Sequence, residues 1–280
     1  MRSLKTEDGL PLHWRQWSPP AGTATRGTVL LVHGLGEHVG RYEALAGRLN
    51  EWGWPVVGYD HRGHGASGGP RGDLPQRHAM LEDLALVVDT LRAEPLADGP
   101  LILLGHSMGG LVAARFVAGA LEGARWSRPV DGLVLSSPAM DPGLSGFQKA
   151  LLATSLKVAP HLAVGNGLKP EWISRSAAVV RAYVDDPLVH NRISATLAAM
   201  IAEEGREVLR LAPGWTVPTL LMWAGADRCV NPAGSATLAQ ALPPQQLQAQ
   251  AFETLFHEIF NEPEREQVLT RLRAWLDARF

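Results

Sequence analysis

The chain has 280 residues, 26 Lys plus Arg against 28 Asp plus Glu, and a formal net charge of −2. With no long basic or acidic run, nothing in it calls for a nucleic-acid partner. A hydrophobic content of 46% with 19% charged residues suits a globular enzyme of one or two domains with a sizeable core.

Read in chain order, residues 12–17 alternate apolar and polar, as an antiparallel edge strand does. A strand at 29–32, a helix near 42–52 and a strand at 55–59 follow. Then come a helix at 79–93, a strand at 101–104, a helix at 108–120 and a strand at 132–135. This alternation predicts an α/β fold, a mostly parallel central sheet flanked by helices. It stops between 139 and 211. That stretch holds a helical pattern at 147–156, a Pro/Gly-rich passage at 159–170 and a second helical pattern at 193–201. The sheet resumes with strands at 217–223 and 247–252, a helix from near Pro232, and a final helix. The expected organisation is therefore a core of 1–138 and 212–280 with a helical cap inserted at 139–211.

Residues 105–109 read Gly-His-Ser-Met-Gly, between the strand at 101–104 and the helix that follows. A serine between glycines on a tight strand-to-helix turn is a nucleophile elbow, and it forces the serine into a strained backbone. Ser107 is thus the candidate nucleophile. A serine hydroxyl needs a base, and the base needs an orienting acid. On this elbow the acid and then the histidine follow the serine in the chain. Asp227, in Ala-Gly-Ala-Asp after the strand at 217–223, is the candidate acid, favoured over the plain alternative of a loop aspartate capping the next helix. His257 is the only histidine beyond Asp227 and is the candidate base. An oxyanion needs two N–H donors. One is the backbone of Met108, and the matching one is that of Leu35, in His33-Gly-Leu-Gly after the strand at 29–32.

Four segments then carry a resemblance: His33-Gly-Leu-Gly-Glu-His-Val-Gly-Arg41, Asp60-His-Arg-Gly-His-Gly-Ala-Ser67, Gly105-His-Ser-Met-Gly-Gly110, and Gly225-Ala-Asp-Arg228 with Phe256-His257. Together they resemble the α/β-hydrolase fold, and within it the monoacylglycerol lipase and lysophospholipase group (the serine aminopeptidase S33 type). The resemblance runs from about Pro11 to the final helix. It implies a serine carboxylic-ester hydrolase that cleaves a monoglyceride through an acyl-enzyme, with no metal or organic cofactor. It also implies that Glu37 and Arg41 border or brace the polar end of the pocket, where a surface salt bridge in the first helical turn is the plain alternative. His61 and His106 read as scaffold residues. The group commonly carries a second histidine three residues after the catalytic one; this chain has Phe260 there.

An acyl chain needs a dry groove, worth about 0.8 kcal/mol per buried CH₂. Leu151, Leu152 and Leu156 are expected either to line it or to form the insertion's own core. The expected partner is a small lipid ester, with transient membrane or micelle contact through the insertion. Competing readings are a lysophospholipase, a broad carboxylesterase or a ligand-binding protein on the same fold. The single cysteine, Cys229, forms no internal disulfide and reads as a buried, inert thiol. With no apolar stretch near the N-terminus and no run of ~20 apolar residues, the expected location is cytoplasmic, or peripheral at a membrane.

Overall fold

The computed structural model of the protein describes residues 2–96 and 98–280. In chain order its core begins with β1 (Arg2–Lys5), β2 (Pro11–Trp17), β3 (Thr28–Val32), α1 (Glu43–Glu51), β4 (Val56–Tyr59) and α2 (Ala79–Ala93). It continues with β5 (Leu101–His106), α3 (Met108–Ala118) and β6 (Gly132–Ser136). The stretch that follows holds α4 (Gly146–Val158), β7 (Val164–Gly165), α5 (Ala177–Val184), β8 (Arg192–Ile193) and α6 (Ala195–Leu211). The chain then completes the core with β9 (Thr219–Ala224), α7 (Pro232–Ala241), β10 (Leu247–Phe252) and α8 (Arg265–Arg279).

Eight strands form one sheet in the order β1-β2-β4-β3-β5-β6-β9-β10. Only β1 and β2 run antiparallel to their neighbours. The central strands β3, β5 and β6 are buried along their whole length, which is why they read as unbroken apolar runs rather than alternating ones. One face of the sheet packs on α2, α3 and α7, the other on α1 and α8. Every residue of α3 is buried, so this helix sits inside the protein; its one charged residue, Arg115, is paired with Glu204 and Glu122. The mostly parallel α/β sheet expected from the alternation is the one found.

Two local expectations change. β2 is not the edge, because β1 pairs outside it with Arg2 opposite Trp14. Four residues are too few to display a period in sequence. The stretch between β6 and β9 is also not uniform. α6 extends ten residues beyond 201 and buries Leu197, Met200, Ile201 and Val208 in the same core as α3. By contrast α4, started by a Ser145–Gln148 capping box, buries none of its residues. β7 and β8 pair as a two-residue ladder, and the backbone binds the core at His190 N–H to Gly36 O and Ser194 N–H to Gly72 O, both 2.8 Å.

Candidate active site

Ser107 sits where β5 turns into α3, at φ 54° and ψ −122°, a region that non-glycine residues rarely occupy. Its surroundings over-determine that strain. Its N–H donates to Ser136 O, and its carbonyl accepts from Leu111 and Ala139, all at 3.0 Å. The flanking glycines follow from close approach: a Cβ on Gly109 would lie 2.1 Å from Val32 O, and one on Gly105 would lie 2.5 Å from Gly109 O. The turn therefore nests against the end of β3, beside the loop that carries Leu35.

That loop is held open in a defined way. His33 Nδ1 lies 2.8 Å from Gly34 O, and its Nε2 accepts from His61 N–H at 2.9 Å. Gly34 N–H donates to Glu37 Oε1 at 2.6 Å. Among the described residues, neither the N–H of Leu35 nor that of Met108 has an acceptor. Met108 opens α3, so no carbonyl one turn back competes for its N–H, and the helix's positive end points there.

Asp227 and His257 leave the ends of neighbouring strands, β9 and β10, and meet at 2.6 Å between Oδ2 and Nδ1. Both side chains are almost fully buried. The other carboxylate oxygen accepts from the N–H groups of Cys229 at 2.8 Å and Val230 at 3.1 Å. Burial opposes a charged imidazole, but the carboxylate outweighs it and raises His257 above its ordinary value of 6.5. Burial would likewise raise Asp227, yet His257 and the two N–H groups hold it below the usual carboxylate range. His106 stacks obliquely on His257 with ring centroids 4.6 Å apart, and burial pushes it down to about 4, so it stays neutral. Cys229 lies in the same corner; burial and the Asp227 charge push its thiol up, leaving no thiolate to compete as nucleophile.

Ser107 and His257 open on one cavity of about 550 Å³. Leu35, Glu37 and Arg41 line it as well. Ile173, Tyr183, Val189 and His190, from the stretch between β6 and β9, close its other side. Glu37 and Arg41 are not a surface pair: their side chains are 5% and 10% exposed. Glu258, which sequence reading missed, takes a two-pronged ion pair from Arg41 at 2.6 and 2.8 Å. Only its adjacency to His257 hinted at a role. Phe260 packs behind this group, where a gap of about 20 Å³ has room for one water.

The three leucines of α4 are not brought to this cavity. Leu151 is 55% exposed. Leu152 and Leu156 line a separate cavity of about 470 Å³ with Met140, Ala199 and Leu209. Leu152 and Leu156 face α6 rather than Ser107, a direction that the apolar spacing of α4 leaves open and the packing of the two helices decides.

Comparison with known proteins agrees with this architecture. Residues 23–264 match the family model described as serine aminopeptidase, S33. A monoacylglycerol lipase of Mycolicibacterium smegmatis is 35% identical over 271 residues, covering 96% of this chain and 93% of that protein. A monoglyceride lipase of Rattus norvegicus is 31% identical over 282 residues, covering 99% and 90%. The crystal structure of a monoacylglycerol lipase from Paleococcus ferrophilus superposes with a TM-score of 0.83 at 33% identity, covering 96% of this chain and 99% of that one. The chain therefore belongs to the serine aminopeptidase S33 family of α/β-hydrolases, among its members resembling monoacylglycerol lipases.

Proposed function

We propose that the protein is a serine hydrolase that cleaves monoacylglycerols to fatty acid and glycerol. The observation that carries this reading is the buried Asp227–His257 hydrogen bond opening on the same cavity as the strained Ser107. Ser107 Oγ attacks the ester carbonyl carbon while His257 Nε2 takes the hydroxyl proton. Asp227 holds Nδ1–H and stabilises the imidazolium. The carbonyl oxygen, now an anion, accepts from the N–H groups of Leu35 and Met108. Collapse expels the alcohol, which leaves with the proton from His257, and an acyl ester remains on Ser107. Water, deprotonated by His257, repeats the sequence and frees the fatty acid.

The matched lipases support the choice of substrate. So does a cavity that sets Leu35, Ile173 and Val189 beside the polar group of Glu37, Arg41 and Glu258. Such a lining offers one apolar and one polar side to an amphiphilic ester. Residues 139–194, ahead of the core-packed α6, act as the cap. Phe147 and Val158 there are each 79% exposed, with Leu151 and Leu162 also exposed, an apolar face suited to a membrane or micelle surface. No helix among the described residues is long and apolar enough to cross a membrane.

Initial rates on matched mono-, di- and triacylglycerols and a lysophospholipid, with Ser107→Ala as blank, test the reading. A preference for monoacylglycerol is expected. Equal rates, or a preference for the lysophospholipid, would remove the monoglyceride assignment and leave the ester chemistry. Labelling of Ser107 by a fluorophosphonate without turnover of any ester would favour a binding protein instead.

A further inference from the structure

Arg41 stands where three segments far apart in sequence meet. Its Nη1 donates to Glu37 Oε2 at 2.7 Å and to Glu258 Oε1 at 2.6 Å, and its Nη2 donates to Glu258 Oε2 at 2.8 Å. Its guanidinium lies 4.7 Å from the ring centre of Tyr183 on α5. Glu37 in turn fixes the loop of Leu35, because its other oxygen accepts from Gly34 N–H at 2.6 Å and from the Tyr42 hydroxyl at 2.7 Å. Glu258 directly follows His257, takes a further bond from Asn261 Nδ2 at 2.8 Å, and its N–H donates to Ile173 O at 2.8 Å. One planar fork thus joins the loop of the oxyanion donor to the loop of the base.

We propose that Arg41 is a positioning residue: through Glu37 and Glu258 it sets the distance between the Leu35 N–H and His257. This rests on the reading of Ser107 and His257 as nucleophile and base. The geometry demands arginine. Only a guanidinium presents parallel N–H groups from Nη1 and Nη2 to Glu258 with a second N–H on Nη1 left for Glu37; a lysine ammonium is a point donor on a flexible stem. Among the described residues, the two carboxylates form ion pairs with no other cation. Burial opposes the charge of Glu37, yet Arg41 holds it well below the usual carboxylate range. A misplacement of about 1 Å at a reacting centre can cost about 10²-fold in rate.

Arg41→Lys and Glu258→Gln are compared with wild type on p-nitrophenyl butyrate, with Arg48→Gln as a control. Arg48 lies on α1, the helix that follows Arg41, but its partner Glu266 is on the exposed surface. Each test variant is expected to lose roughly 10- to 100-fold in kcat with KM within about twofold. The control keeps wild-type kcat. A pH profile separates positioning from mere support of the fold. Among the described residues, the charged or titratable groups facing His257 besides Glu37 and Glu258 are Asp227, His106 and Cys229. Removing the cation in Arg41→Met leaves the carboxylates uncompensated, favours the imidazolium, and moves the acid limb of kcat/KM to higher pH. Glu258→Gln moves it to lower pH.

Folded Arg41→Lys and Glu258→Gln variants that keep kcat within twofold would overturn the proposal, as would a loss confined to KM. If Arg41→Lys does not fold, Glu258→Gln, which keeps the side chain's shape, decides alone. Wild-type protein that neither turns over the ester nor takes a fluorophosphonate on Ser107 would remove the underlying reading, and this one with it. Wild-type turnover with unaltered variants would remove this one only.

Discussion

Replacing Asp227 with asparagine tests the chemistry with little change of shape. Oδ1 of Asp227 already accepts two backbone N–H groups, from Cys229 and Val230. An asparagine keeps those bonds only if its carbonyl oxygen occupies that position. Its NH₂ must then face His257 Nδ1 from the place of Oδ2, now 2.6 Å away. A donor there requires Nδ1 to accept, so the ring proton moves to Nε2. His257 then presents N–H to Ser107 where it must present a lone pair. The expected loss in kcat is about 10⁴-fold, which at 1.36 kcal/mol per tenfold is roughly 5.4 kcal/mol of transition-state stabilisation. The fold loses one charge-assisted bond, about 1.5–3 kcal/mol, so Tm falls by no more than roughly 10 °C. Ester turnover at pH 7 and a thermal melt of the same preparation make the measurement. A loss below tenfold in a folded variant would refute the assignment of Asp227 as orienting acid.

Other consequences are open to direct measurement. Because Asp227 raises His257 above 6.5, the imidazole stays protonated to higher pH than a free histidine and cannot accept the Ser107 proton; the acid limb of kcat/KM is expected to have its midpoint above 6.5, and a midpoint near 6 would contradict this. Ser107→Ala and Ser107→Gly both abolish turnover, but glycine relieves a backbone strain of about 1–3 kcal/mol against about 0.4–1 kcal/mol of unfolded-state entropy. The glycine variant is therefore expected to be more stable by roughly 1 kcal/mol in denaturant melts, and a less stable one would argue against strain at Ser107. Val189→Trp, which fills the Ser107 cavity, is expected to raise KM for a long-chain ester at least about tenfold, whereas Leu156→Gln leaves it within about twofold; the reverse ranking would place the acyl chain against α4.

The parts of this protein that can be read from its sequence are those set by short-range geometry. Unbroken apolar runs announce strands buried on both faces, and their alternation with amphipathic helices announces a parallel sheet. The turn at Ser107 is legible because a strand, two glycines and a helix start leave the serine one backbone conformation. Asp227 and His257 are legible as candidates because parallel strands bring their carboxyl ends to one edge. What lies outside the sequence is every arrangement that depends on how distant pieces pack. Arg41 and Glu258 are 217 positions apart, and no period or motif links them. The same apolar spacing serves α4, which lies almost unburied, and α6, which joins the core. A helical stripe states that one face seeks cover; which neighbour covers it is decided only when the stretch between β6 and β9 folds back on α3. Leu152 and Leu156 turn away from Ser107 for that reason. Ile173, Tyr183 and Val189, which sequence alone does not mark, line its cavity instead, in a stretch whose backbone bonds to the core loops at Gly36, Gly72 and Glu258.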